Sequence, residues 1–396
     1  MPSLANVYTE KTRMRFAIDA HAIGQHLTGN EVYIRNLLRS LCALGTGAEF
    51  VAYLAGAGAA QLVPDTVVTR TVSRNPFRRL GWQLAAHVRK DRPRLLHVQY
   101  TAPLACPVPV VASVHDVSFL EHPEFFSAAR AFQLRRTVKR TVASAARILT
   151  PSEFSRKSIE EHYPEARGKT EVVPNAVSQN FRPVHREQAR EKIRTLFGIP
   201  SPFLLNVGDL QPRKNQVGLI RAFEEAMRAH PKLTHRLVLV GQNKWEAPAV
   251  RQAAERSSVA NRIHFTGYVD DDQLRLLYNA CEAFLFPSFY EGFGIPILEA
   301  MACGCAVACS KAAAMPEVAD GAAIFFDPHS IGGMVRAIED IVLDAELRGR
   351  LERLGQNRAA AFSWDHAAGK TLEVYYEVAG ASMPAAAHRR PLRAAR

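Results

Sequence analysis

Pro287-Ser288-Phe289-Tyr290-Glu291-Gly292-Phe293-Gly294-Ile295-Pro296-Ile297-Leu298-Glu299-Ala300-Met301-Ala302-Cys303-Gly304 reads as the end of a strand, a glycine loop and the start of a helix. Proline is favoured at the first helical position, so the spacing predicts a helix beginning at Pro296. Glu291 then precedes the helix and Glu299 falls in its first turn, near the positive end of the dipole. Gly292 and Gly294 let the backbone approach a ligand and leave the N–H groups of Phe293, Gly294 and Ile295 as donors. Taken singly, each feature also fits a plain tight turn or a capping acid. Strand, loop and helix in that order are half of a βαβ unit, which sets the fold class as α/β.

The same alternation runs back from this stretch. Strands are expected at 203–208, 236–240, 263–266 and 283–287, separated by helices at 217–230, 247–257 and 271–280. Their continuous apolar runs are those of a parallel sheet buried on both faces. Earlier, a strand at 14–19, a glycine turn and a helix at 31–44 open a second series, with strands at 50–54, 95–98, 108–114 and 147–150. A chain of 396 residues exceeds one ordinary core, since single cores stop growing near ~250–300 residues. The expected architecture is two facing Rossmann-like domains with a cleft between them. The segments are a flexible leader at 1–13, an N-terminal Rossmann-like domain at 14–183, a C-terminal Rossmann-like domain at 184–362, a closing helix at 363–380 that returns to the first domain, and a disordered basic tail at 381–396. Open α/β sheets bind ligands outside the carboxyl ends of their strands, so the cleft is where a site is expected.

The strand ending at Gly208 runs into Asp209-Leu210-Gln211-Pro212-Arg213-Lys214-Asn215, which offers two adjacent cations just before a helix. Arginine can hold phosphate oxygens through paired hydrogen bonds, lysine acts as a mobile charge, and the helix N-terminus adds donors. From the dipeptide alone, a solvated charge pair fits as well.

With the Glu-x7-Glu spacing of Glu291 and Glu299, the Pro212-Arg213-Lys214-Asn215 loop and Gly267-Tyr268-Val269, the chain resembles the large retaining family-four glycosyltransferases of GT-B fold over about residues 14–379. The resemblance implies that Arg213 and Lys214 hold the diphosphate of a nucleotide-sugar donor, that Glu299 binds its ribose, and that Glu291 sits by the transferred sugar. Main chain near Tyr268 and Val269 would read the base. Similar enzymes use a histidine at the strand end Val114-His115-Asp116 to contact the sugar, which makes His115 a catalytic candidate alongside Glu291, Arg213 and Lys214; Asp116 could orient its ring. Gly29, Asn175 and Gly208 complete the expected donor-binding set. The first glycine loop, Gly24-Gln25-His26-Leu27-Thr28-Gly29-Asn30-Glu31, departs from the commoner Gly-Gly-Ile-Gly pattern, and Gln211 replaces a frequent Glu.

Composition narrows the partners. The 50 Lys and Arg against 38 acids give a formal charge of +12, which suits anionic ligands or surfaces. No aromatic-basic interleaving or known motif points to nucleic acid. Four of the six cysteines, Cys281, Cys303, Cys305 and Cys309, crowd together without the spaced partners of a zinc site and read as free buried thiols. No apolar leader or membrane-length run is present, so the expected location is cytoplasmic. The basic stretch 129–140 fits a peripheral contact with an anionic inner membrane face or a solvated helix face.

The expected reaction is retaining transfer of a hexose to a glycan or lipid-linked acceptor in cell-surface polysaccharide or glycolipid synthesis. GDP-mannose is the first donor, from the character of residues 297–328, and UDP-glucose the second. No cofactor is expected and the reaction is expected to be metal-independent, with the two cations taking the place of a metal. The competing reading from another class is a non-catalytic two-domain nucleotide-sugar-binding or scaffold protein.

Overall fold

A computed structural model describes residues 13–25, 28–56, 58–243 and 247–384. The expected leader (up to residue 12), His26 and Leu27 of the first glycine loop, and the tail from 385 lie outside the described residues. In chain order the strands are β1 (Arg15–Asp19), β2 (Glu49–Leu54), β3 (Val68–Thr71), β4 (Leu96–Gln99), β5 (Val110–Ser113), β6 (Arg147–Thr150) and β7 (Thr170–Val172), then β8 (Phe203–Val207), β9 (Arg236–Val240), β10 (Ile263–Gly267), β11 (Ala283–Phe286), β12 (Ala306–Ser310) and β13 (Ile324–Phe326). They form a seven-stranded sheet ordered β3-β2-β1-β4-β5-β6-β7 and a six-stranded sheet ordered β10-β9-β8-β11-β12-β13. The pairings of β1 with β2 and β4, and every pairing in the second sheet, are parallel. Each sheet therefore reverses its strand order beside its first strand, the arrangement that leaves a ligand crevice at the carboxyl ends.

Alternation along the strands explains why the second sheet is covered on both sides. Phe203, Leu205, Val238, Val240, Phe284, Phe286 and Val307 enter one apolar core. Leu204, Leu237, Leu239, Ala283, Leu285 and Ala306 enter the other. Successive strand side chains point to opposite faces, so only an apolar residue at nearly every position supplies both cores. Cys281, Cys303, Cys305 and Cys309 are free thiols in the first of these cores.

The chain divides into two compact units. One holds the residues through Ser113, Ser144–Ile148 and the chain from Ala368; the other holds Val114–Ala143 and Leu149–Ala367. Within the first, Tyr375 and Tyr376 of the helix Trp364–Val378 pack on Phe16 of β1, with ring centroids 5.2 and 5.5 Å away. Buried His97 ties this helix to the strands through Tyr375 Oη at 2.5 Å and Ser113 Oγ at 2.7 Å.

Two expected boundaries are corrected. The first helix spans Thr28–Ala43, so Gly29 lies in its first turn and not in the preceding loop. Glu31 from that turn reaches back to accept the N–H of Gly24 at 2.8 Å, drawing the helix start forward. The helix after the glycine loop starts at Ile295, one residue before Pro296. Glu299 is consequently its fifth residue and lies past the first turn.

Candidate functional site

β8 and β11 are neighbours at the point where the second sheet reverses order, with Leu204 opposite Ala283 and Leu205 opposite Phe284. Loops leaving their carboxyl ends therefore emerge side by side. The β8 loop begins under tight constraint: a Cβ on Gly241 would lie 2.1 Å from the carbonyl oxygen of Gly208, so the ends of β8 and β9 approach backbone to backbone. Pro212–Lys214 then forms a single 3-10 turn closed by Asn215 in the left-handed conformation (φ 54°). Asn215 is held there by its Nδ2, which donates to Pro328 O at 2.8 Å. The turn presents Arg213 and Lys214 to the β11 loop, where Phe289 N–H donates to Arg213 O at 2.9 Å.

Glu291 is the acid on which both cations converge. Its Oε1 lies 2.6 Å from Lys214 Nζ and its Oε2 lies 2.8 Å from an Arg213 guanidinium nitrogen. Arg213 Nη1 also donates to Tyr290 O at 2.7 Å, and Lys214 Nζ lies 5.0 Å over the Phe286 ring. The three side chains are largely enclosed, with exposures of 19%, 11% and 11% for Arg213, Lys214 and Glu291. Burial alone would raise the Glu291 pKa, but the Arg213 and Lys214 charges more than offset it and hold the group at about 2. Burial, with Arg213 adding to it, pushes Lys214 below the usual lysine range against the pull of Glu291. Two cations against one carboxylate leave one net positive charge, held rigid at a switch point: a pre-formed receptor for an anion.

The glycine loop sits against His115. A Cβ on Gly292 would meet the His115 carbonyl oxygen at 2.1 Å and Asp116 Cβ at 2.9 Å, so only glycine fits. Gly294 has φ 102° and forms the N-cap of the helix Ile295–Ala302. Among the described residues no acceptor takes the N–H groups of Phe293, Gly294 or Ile295. The Phe293 side chain is buried in the core and meets Phe362 edge-on at 5.7 Å, so only its main chain can serve a ligand.

His115 is half-buried, and desolvation pushes its pKa down to about 4. Asp116 does not spend its Oδ1 on that ring, as the sequence suggested: this oxygen accepts from Ser118 N at 3.1 Å and Ser118 Oγ at 2.7 Å. The imidazole is neutral at physiological pH. Because its folded pKa lies below the ordinary value near ~6.5, the unfolded chain takes up the proton first; this contribution to stability is full above that value and is lost as pH falls towards about 4. Glu291 contributes stability that is full above the ordinary carboxylate range and is lost only as pH falls towards about 2. The expected result is a melting temperature that falls between pH 6.5 and 4 and falls less steeply in His115→Asn, read by calorimetry across that window.

Glu299 is buried, and Tyr278 Oη donates to its Oε2 at 3.0 Å. Tyr278, in the helix Asp271–Ala280, was not legible as a site residue because it reads as one more apolar position on a helix face. Tyr278→Phe removes this buried hydrogen bond, worth roughly 0.5–1.5 kcal/mol. The expected outcome is a lower melting temperature together with a raised KM for a ligand seated at Glu299, measured on the same preparation. Tyr268 is 56% exposed on the loop after β10, whereas Val269 beside it is buried in the core. This loop is tied to the site through β9, since Gly241 N–H donates to Gly267 O at 3.0 Å. Asn175 is buried, and its Oδ1 has no hydrogen-bond partner among the described residues. Gly29 belongs to the other compact unit and has open space where a Cβ would stand.

Ser152 and Ser155 were also missed. Both are fully buried, and both hydroxyls reach Gly292 O, at 2.7 and 3.1 Å. A serine between strand 147–150 and the helical pattern that follows was a readable cap signal; its link to Gly292 was not. Among the described residues there is no group of three or more His, Cys, Asp or Glu placed to hold a metal ion.

Sequence comparison matches residues 189–358 to the family described as Glycosyl transferases group 1 and residues 27–181 to Glycosyltransferase Family 4. An O-antigen chain mannosyltransferase B of Escherichia coli is 32% identical over 267 residues, covering 67% of this chain and 69% of the relative. A serotype-specific mannosyltransferase WbdA of Escherichia coli is 29% identical over 262 residues, covering 64% of this chain but 31% of the relative. Among solved structures, the sucrose-phosphate synthase of Thermosynechococcus elongatus superposes with a TM-score of 0.77 over 93% of this chain and 100% of its own, at 20% identity.

Proposed function

This chain belongs to the group 1, family 4 glycosyltransferases, and from that premise we propose that it moves a hexose from a nucleotide-diphosphate sugar to a glycan or lipid-linked acceptor, with retention of anomeric configuration. The observation that carries the reading is the Arg213–Glu291–Lys214 cluster at the switch point of the second sheet. A nucleoside diphosphate is the leaving group such a site suits. Its charge grows as the glycosidic bond breaks, and pre-oriented cations stabilise that change without reorganising. Arg213 and Lys214 are assigned to the diphosphate, Glu299 to the ribose, main chain at Tyr268 and Val269 to the base, and the N–H groups of Phe293 to Ile295 to sugar hydroxyls.

The carboxylate is not called on as a nucleophile in this reading. A nucleophile needs an oxygen with its electrons available, and both oxygens of Glu291 are held by cations. Front-face attack by the acceptor, with the departing phosphate taking its proton, requires no protein nucleophile. Neutral His115 can donate or accept one hydrogen bond at the sugar without bringing a competing charge. The two cations supply the stabilisation that a metal ion otherwise would, so turnover is expected to persist in excess EDTA.

GDP-mannose is the first donor and UDP-glucose the second, with mannosyltransferases among the relatives supporting that order. Synthesis of a cell-surface polysaccharide is the proposed setting. The helix Ala128–Ser144 buries Ala131, Leu134, Val138 and Val142. It turns Arg130, Phe132, Arg135, Arg136 and Lys139 outward, a face that suits the anionic surface carrying a lipid-linked acceptor. No helix among the described residues is long and apolar enough to cross a membrane.

The test is a panel of nucleotide sugars with sugar and lipid acceptors in EDTA, with product mass and anomeric configuration read by mass spectrometry and NMR. One retained hexose from one preferred donor supports the reading. An inverted product, or transfer that appears only with added metal, overturns those parts of it.

A further inference from the structure

We propose that Ser152, seconded by Ser155, is a positioning residue that sets the direction of the Phe293 N–H towards the bound sugar; this rests on the transferase reading above. The argument starts at the helix Glu153–His162. Ser152 is its N-cap: the hydroxyl oxygen accepts the Ser155 N–H at 3.1 Å. Its single proton is thereby left to donate, and it goes to Gly292 O at 2.7 Å. Ser155 Oγ also has one proton, shared between His115 O at 2.9 Å and Gly292 O at 3.1 Å.

Planarity supplies the next step. In a trans peptide the C=O and the following N–H point in opposite directions. Fixing Gly292 O against two buried hydroxyls therefore aims the Phe293 N–H away from them, and among the described residues no acceptor receives it. The Ser155 hydroxyl also donates to the His115 carbonyl, so one helix start fixes both the glycine-loop donor and the segment that carries His115.

The end of the helix is itself anchored. Glu317, in the helix Met315–Ala319, accepts the Glu153 N–H at 2.8 Å and the Phe154 N–H at 3.0 Å. With Arg156 N–H on Ser152 O at 3.0 Å, all the first-turn donors are satisfied without Gly292. The bond from Ser152 to Gly292 is thus surplus to capping, and a caps-only role predicts nothing about the sugar site.

That difference gives the experiment. Ser152→Ala, Ser155→Ala, the double variant and Glu317→Ala are compared for melting temperature, kcat, donor KM, and the ratio of affinities for nucleotide sugar and nucleoside diphosphate. Ser155→Ala keeps the cap and covers the case in which Ser152→Ala does not fold. Expected are a fall in kcat of about 10- to 100-fold in the double variant, a smaller fall in each single one, and an affinity ratio that moves towards unity. Ser152→Thr, which keeps the hydroxyl, should recover most of kcat. Glu317→Ala should lower the melting temperature with little change in the affinity ratio. Serine variants that match Glu317→Ala in activity at equal loss of melting temperature, or an unchanged affinity ratio in the double variant, would overturn the proposal. A wild-type protein that transfers no sugar would instead overturn the reading it rests on.

Discussion

Lys214→Ala is expected to lower sugar transfer by about 10²–10³-fold, the usual consequence of removing one well-placed donor from developing charge. The ammonium lies 2.6 Å from Glu291 and its stem covers Gly208, where an added Cβ would meet Lys214 Cε at 3.1 Å. Removing it does not orphan the carboxylate, because Arg213 stays on the other oxygen at 2.8 Å. The fold should therefore survive while the anion receptor loses its net positive charge. Lys214→Arg should rescue poorly, since a forked, planar group cannot follow the path of the lysine stem over Gly208. Steady-state kinetics with circular dichroism on each variant checks both halves. A variant that retains transfer within a few-fold would remove Lys214 from the diphosphate site.

Gly292→Ala tests the geometry and not the charge. The new methyl would sit 2.1 Å from His115 O and 2.9 Å from Asp116 Cβ, and the first of these is main chain that cannot rotate aside. Either the glycine loop or the His115 strand end must move. Overpacking of this kind costs about 1–3 kcal/mol. A shift of about 1 Å at a reacting centre can cost about 10²-fold in rate. Activity should thus fall much further than stability. A similar change at Gly369 of the helix Trp364–Val378, where a Cβ meets nothing, should leave both nearly unchanged. Equal tolerance at the two positions would contradict the close approach of the two segments.

How much of this was legible beforehand follows from which forces act locally. The central strands of the second sheet could be read because burial on both faces demands continuous apolar runs such as Phe203–Val207 and Arg236–Val240. β3, β7, β12 and β13 escaped notice: β3, β7 and β13 are three or four residues each, with Val68–Thr71 and Thr170–Val172 only partly covered, and β12, Ala306–Ser310, is fully buried but made mostly of small residues with little strand preference. The identities of Arg213, Lys214, Glu291 and Glu299 stood out from spacing. Their arrangement did not, because Lys214 and Glu291 are 77 residues apart and meet only when β8 and β11 pair. The same holds for Ser152 and Gly292, 140 residues apart. Asp116 shows the opposite failure: adjacency suggested a partner for His115, while a local turn bond to Ser118 took its Oδ1.

The central claim is that Arg213, Lys214 and Glu291 form the diphosphate grip of a sugar-nucleotide transferase. Titration calorimetry of GDP-mannose and UDP-glucose in EDTA, on the wild-type protein and on Arg213→Ala with Lys214→Ala combined, tests it most directly. Saturable binding of one donor by the wild type, weakened at least about 100-fold in the double variant, is the predicted result. Absence of nucleotide-sugar binding, or equal binding by both proteins, would contradict the account.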